Sequence, residues 1–218
     1  MILIAIVISL ILSGIYILTN RTPEIFMFGK ELMDFLYGIS LATIAASIFY
    51  FFQIFIPEKR RQAIIKKNFK LNYIIFKQRC ISIFLSTIGL SCDFDLTERL
   101  SEMEEFKKYF KQNFAANQDR WDGLINNFDK DKFDDLLIQF EIFSQQIDLF
   151  IDNVSLQDKN VFTFLKRLKI TIHSLKNTNL SEDEAKILWH FIWELFTGWG
   201  FTSGYRKNDI LKEMIDMV

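Results

Sequence analysis

The chain has 218 residues, with 26 Lys/Arg against 27 Asp/Glu, only two prolines and eight glycines, and 24 Phe and 4 Trp. This composition favours helices closing on aromatic cores. The near-zero charge hides three zones: residues 1–57 hold only Arg21 and Lys30 as basic side chains, residues 58–79 sum to +7, and residues 80–218 sum to −7. The acidic body argues against direct nucleic-acid binding, which needs a basic footprint to neutralise phosphates.

The first element is an uncharged apolar run, Ile2–Thr19, about as long as the shortest membrane-spanning helices. A signal peptide would show a basic start and a small-residue cleavage site. No Lys or Arg precedes Arg21. A second apolar run covers Phe35–Ile56, and Pro57 is expected to end or kink it. Thr22-Pro23-Glu24 has the pattern of a helix start, so this helix is expected to begin before its apolar part. Basic residues crowd after the second run, at Lys59, Arg60, Arg61, Lys66, Lys67 and Lys70. They predict contact with lipid headgroups and a cytoplasmic location for residues 58 onward. The N-terminus would then be cytoplasmic too, with residues 20–34 outside. Small residues recur every fourth position, as Ala5, Ser9 and Ser13 in the first run and Gly38, Ala42 and Ala46 in the second. Such stripes are expected to pack the two helices on each other or to join subunits of a homo-oligomer. Ser40, Thr43, Ser47 and Gln53 form a weakly polar flank able to face water in such an oligomer.

Beyond Pro57, apolar residues from Ile64 to Phe84 (Phe69, Tyr73, Phe76 and Cys80 among them) fall at helical spacing, predicting a basic juxtamembrane helix over 58–90. Residues 91–218 read as a helical bundle. A loop is expected at Gly89–Phe94, then a helix from a capping box at Asp95–Glu98 to Asn117, and a short one near Trp121–Phe128. A strongly amphipathic helix is expected over Lys130–Asn153, one from Ser155 to Lys176, and another from the capping box Ser181–Glu184 to Thr197. A glycine-containing turn and a last helix over Lys207–Val218 complete the chain. No strand or hairpin pattern is legible. The expected fold is therefore all-α: a transmembrane hairpin over 1–57, the juxtamembrane helix, and a cytoplasmic bundle.

Few residues point to chemistry. Cys80 and Cys92 have no metal-ligand spacing and are expected to be buried, inert thiols. Asp129–Asp134 begins like a calcium loop but lacks the glycine and the closing glutamate. Two histidines give a zinc site no third ligand, and no phosphate loop is present, so neither metal nor cofactor is expected. Arg167 and His173 form Arg-x5-His, which resembles the motif of HEPN ribonucleases. That resemblance implies a catalytic pair acting on RNA across a dimer. Six residues on a helix, however, put the two side chains on different faces. The aromatic segment holding Trp189, Trp193, Trp199 and Phe201 reads either as core closure or as a partner interface.

The whole plan is a two-span hairpin, a Pro-Glu-Lys-Arg-Arg exit at 57–61 and a compact helical domain. It resembles the small two-transmembrane effectors of bacterial anti-phage operons, including those paired with retron reverse transcriptases. The resemblance implies a non-enzymatic protein of the inner membrane, restrained by a protein or ribonucleoprotein regulator from its own operon and damaging that membrane when released. A membrane-tethered HEPN-like ribonuclease and a passive membrane scaffold or signalling adaptor are the alternatives.

Overall fold

The computed structural model describes residues 2–19, 28–154, 159–175, 182–200, 204–205 and 207–216. The chain is predominantly helical and divides into two compact units, Met1–Ala63 and Ile64–Val218.

In the first unit, α1 (Ile2–Thr19) packs on α2 (Gly29–Tyr50). The rings of Tyr16 and Tyr37 stack with centroids 4.2 Å apart, and the Tyr16 hydroxyl donates to Asp34 at 2.7 Å. The expected start of the second helix at Thr22-Pro23-Glu24 lies outside the described residues. The described helix begins at Gly29, with Phe28 before it in the left-handed region at φ 67°.

The packed face of α1 holds two of its three expected residues, whereas that of α2 differs from the expected one. On α1, Ser9 is buried and Ile6, Ser13 and Tyr16 are half-buried on the same face, while Ala5 is exposed. On α2, the withdrawn residues are Ser40, with Tyr37, Thr43 and Ser47 half-buried, whereas Gly38, Ala42 and Ala46 are exposed. The predicted small-residue stripe of α2 therefore points away from the packed face, and a methyl group added at Gly38 would meet nothing. The hydroxyl flank, read as water-facing, takes the packed side instead. Each hydroxyl donates to its own helix, Ser40 to Leu36 O, Thr43 to Ile39 O and Ser47 to Thr43 O. A serine satisfied in this way is nearly as small and as apolar as alanine, so helices approach over it equally well.

The chain stays helical past Pro57. A five-residue π-helical turn, Phe51–Phe55, precedes α3 (Ile56–Thr87), and the Ile56 N–H donates to Phe51 O, five residues back. Proline cannot donate to the carbonyl four residues before it and its ring crowds that group. A widened turn just upstream accommodates both effects where a break was expected.

The second unit is built around α3. Phe69, Tyr73, Phe76, Cys80, Ile81, Phe84 and Leu85 form its buried stripe, while Ile64 at the start is exposed. Against it packs α7 (Lys130–Asn153), whose Phe133, Leu136, Phe140, Phe143, Ile147 and Phe150 face inward. Phe69 stacks on Phe150 at 4.3 Å and Phe76 on Phe143 at 4.5 Å. The Asp129 carboxylate caps α7 by accepting the Lys132 N–H at 2.8 Å. The other helices are α4 (Phe94–Leu100), α5 (Met103–Phe110), α6 (Arg120–Asn126), α8 (Lys159–Leu175), α9 (Glu182–Thr197) and α10 (Ile210–Asp216).

The expected helix from Asp95 to Asn117 is instead two helices and a ribbon. Glu102 is extended between α4 and α5, and its carboxylate binds Lys212 of α10 at 2.9 Å. After α5, β1 (Asn113–Ala115) pairs antiparallel with β2 (Gln118–Asp119), and Asn117 turns the chain at φ 63°. Asparagine is among the few residues that tolerate this region, which suits Asn117 to the tight turn. A second ribbon pairs β3 (Trp199–Gly200) with β4 (Gly204–Tyr205) where only a turn was expected. Ser155 and Ser181, the expected caps of α8 and α9, lie outside the described residues. Cys80 is buried as expected, but Cys92 is exposed, its Sγ donating to Ser82 O at 3.1 Å.

One polar cluster lies in this core. Asp209 precedes α10 and accepts from the Tyr73 hydroxyl at 3.0 Å, Lys77 Nζ at 3.3 Å and the Leu211 N–H at 3.0 Å. The side chains of Lys77 and Asp209 are only 1% and 7% exposed. Burial pushes the Lys77 ammonium below its ordinary pKa, while burial and the Asp209 charge push the Tyr73 phenol well above its own. A charge taken out of water needs such partners, and here they tie α10 to α3.

Candidate partner-binding groove

Phe106 of α5 is the hub beneath the most aromatic surface of the bundle. It is fully buried, and its ring lies 4.5 Å from Phe110, 4.9 Å from Phe196 and 6.1 Å from both Trp121 and Trp193. The helical phase of α5 explains this placement, because Met103, Phe106 and Phe110 share one face. On that floor, α6 contributes Trp121 and α9 contributes Trp189 and Trp193. The Trp121 and Trp193 rings meet at 4.8 Å, and Trp121 lies edge-on to Trp189 at 6.0 Å.

Together these residues line a groove of about 460 Å³, bordered by Lys111, Asp119, Asp122 and Tyr205. The rim is charged but balanced. Lys107 Nζ sits 3.5 Å from the centre of the Tyr205 ring, and Lys111 Nζ 5.8 Å from that of Trp193. The Asp119 carboxylate is committed to capping α6 through the Asp122 N–H at 2.8 Å. Half-buried indole rings over a rigid aromatic floor, ringed by cations and acids, suit an apolar or aromatic side chain inserted by another protein. Binding energy concentrates in such settings, and Trp and Tyr are over-represented there.

The sequence-predicted residues divide around this groove. Trp189 is almost fully buried and serves the core as well as the groove wall, whereas Trp193 is half-buried at the surface. Trp199 stands in β3, and Phe201 lies outside the described residues. Tyr205, which closes the aromatic segment read from the sequence, borders the groove as well. Trp121 was not anticipated; its one signal was aromatic character, which a chain with 24 Phe cannot make distinctive. His190 borders the same groove.

Arg167 and His173 are both exposed on α8 and line different cavities. Arg167 borders an apolar cleft between α8 and α9, and His173 a small recess beside Glu141 of α7. Of the six collar residues, Lys59, Arg60 and Lys67 are exposed and Arg61 pairs with Glu58. Lys66 and Lys70, expected to be open to headgroups, are engaged by Asp216 of α10. Among the described residues no three His, Cys, Asp or Glu side chains gather as a metal site.

Fold and groove thus define a class: a predominantly helical protein with an apolar helix long enough to cross a membrane and an aromatic groove on its folded unit. Comparison with family models, curated proteins and solved structures finds no match to this chain.

Proposed function

We propose that this chain is a two-span integral membrane protein of the bacterial inner membrane, acting as a non-enzymatic effector. The spans are α1 and α2, the N-terminus and the helical bundle are cytoplasmic, and residues 20–34 are outside. A regulatory protein or ribonucleoprotein seated on the Trp121–Trp193 groove holds the effector inactive, and its departure frees the hairpin to perturb the bilayer. The observation that carries this reading is the apolar surface of the first unit. Ile4, Ile11, Leu18, Phe35, Phe49 and Phe52 are all exposed to more than half of their area, and an apolar face of that extent needs lipid or protein to cover it.

The two helix faces separate packing within one hairpin from packing between copies. Expression in a bacterial host without the regulator is expected to collapse the membrane potential, read with a potential-sensitive dye. Ala42→Leu, on the exposed face, should leave the protein in the membrane fraction at its normal level and abolish depolarisation. Ser9→Leu, on the packed face, should lower the amount of inserted protein. Full depolarisation by Ala42→Leu removes the outward face from the mechanism. A wild-type chain that leaves the potential intact at equal expression overturns the effector reading in favour of a scaffold.

A further inference from the structure

We propose that Lys66 and Lys70 form a seat for anionic lipid headgroups, occupied in this structure by the chain's own helix α10. The inference rests on the membrane reading above and adds to it a means of sensing the lipid.

The two ends of α10 are held very differently. At its start, Asp209 is buried and receives the Tyr73 hydroxyl, Lys77 Nζ and the Leu211 N–H. At its end, Lys70 Nζ lies 3.1 Å from both carboxylate oxygens of Asp216, and Lys66 Nζ donates to the Asp216 main-chain oxygen at 3.2 Å. The Lys70 and Asp216 side chains are 41% and 59% exposed. An ion pair this open to water is weak and exchangeable, whereas the buried one is not. Opening of α10 therefore starts at Asp216, and Ile215, buried one residue earlier, is the side chain it uncovers.

The seat has the right chemistry for the competitor. Lys66 and Lys70 are one helical turn apart, so their ammonium groups converge on a single group. In this structure that group offers three oxygens, two from a carboxylate and one from the main chain. A lipid phosphate offers the same kind of oxygen donors with a fixed negative charge, at the high local density of an anionic leaflet. Lys67, exposed beside them, adds to the attraction without taking part in the latch. The one acid within 58–79, Glu58, pairs with Arg61, and among the described residues Asp216 is the anion seen on Lys66 and Lys70.

The test is hydrogen exchange of the full-length protein in lipid nanodiscs made of phosphatidylcholine alone or doped with phosphatidylglycerol. The expected result is several-fold faster exchange of the Glu213–Asp216 amides in the anionic discs, with the Leu211 and Lys212 amides unchanged. Lys66→Gln with Lys70→Gln should exchange fast at these positions in both lipids, because the latch and the seat are lost together. Equal exchange of the wild type in the two discs overturns the proposal. So does an equal acceleration by inorganic phosphate in neutral discs, which would make the seat a general phosphate site. Failure of the chain to enter either disc is a different outcome and overturns the membrane reading itself.

Discussion

Asp209→Ala is expected to destabilise the folded unit by about 3–5 kcal/mol, the usual consequence of removing one partner of a buried ion pair. The change leaves Lys77 at 1% exposure with no carboxylate. It also removes the acceptor for the Tyr73 hydroxyl and the cap of α10. For a unit of this size the melting temperature should fall by on the order of 10 °C, followed by circular dichroism in detergent micelles. The reciprocal change Lys77→Met should cost clearly less, because Asp209 keeps Tyr73 and two backbone N–H groups as donors. An Asp209→Ala melt as small as that of Lys77→Met would mean that the cluster is not the anchor of α10.

Phe106→Ala has the second large effect, again about 3–5 kcal/mol for emptying a fully buried aromatic site. Its ring touches five others, and Trp121 and Trp193 rest on it. The loss should appear both as a lower melting temperature and as a red shift of tryptophan emission as the groove loosens. Trp193→Ala separates the two roles. Trp193 is half-buried, so its removal should cost stability less while still weakening binding of the proposed regulator to the groove. If Phe106→Ala melts like the wild type, the groove floor is not rigid and its value as a docking surface is lost.

What the sequence disclosed and what it hid have physical causes. The stripes of α3 and α7 were legible in the main, Ile64 excepted, because a helix half-buried in a core must repeat its apolar positions at the helical period. The expected helix start at Lys130 is fixed by the Asp129 cap, a local feature of the same kind. Lys77 was not legible: a lysine within a basic run reads as solvated, and its burial depends on Asp209, 132 residues away. Nor was the exposed Cys92, since exposure is decided by tertiary packing. On α1 the expected Ser9 and Ser13 are withdrawn, but on α2 the hydroxyl flank takes the packed side, because small side chains and self-satisfied hydroxyls pack alike and spacing alone does not separate them. The groove was half legible. Trp189, Trp193 and Tyr205 belong to one aromatic segment of the sequence, but Trp121 reaches the groove from α6.

The central claim, that the chain crosses the membrane twice with its bundle inside, is tested most directly by thiol labelling of spheroplasts with a membrane-impermeant maleimide. Cys92 is a native, exposed reporter on the bundle, while Cys80 is buried and silent. Lys30 is exposed at the start of α2 and can be replaced by cysteine in a Cys92→Ser background. The expected result is labelling of Lys30→Cys in intact spheroplasts, with Cys92 labelled only after the membrane is permeabilised. Labelling of both positions in intact spheroplasts, or of neither, contradicts the account.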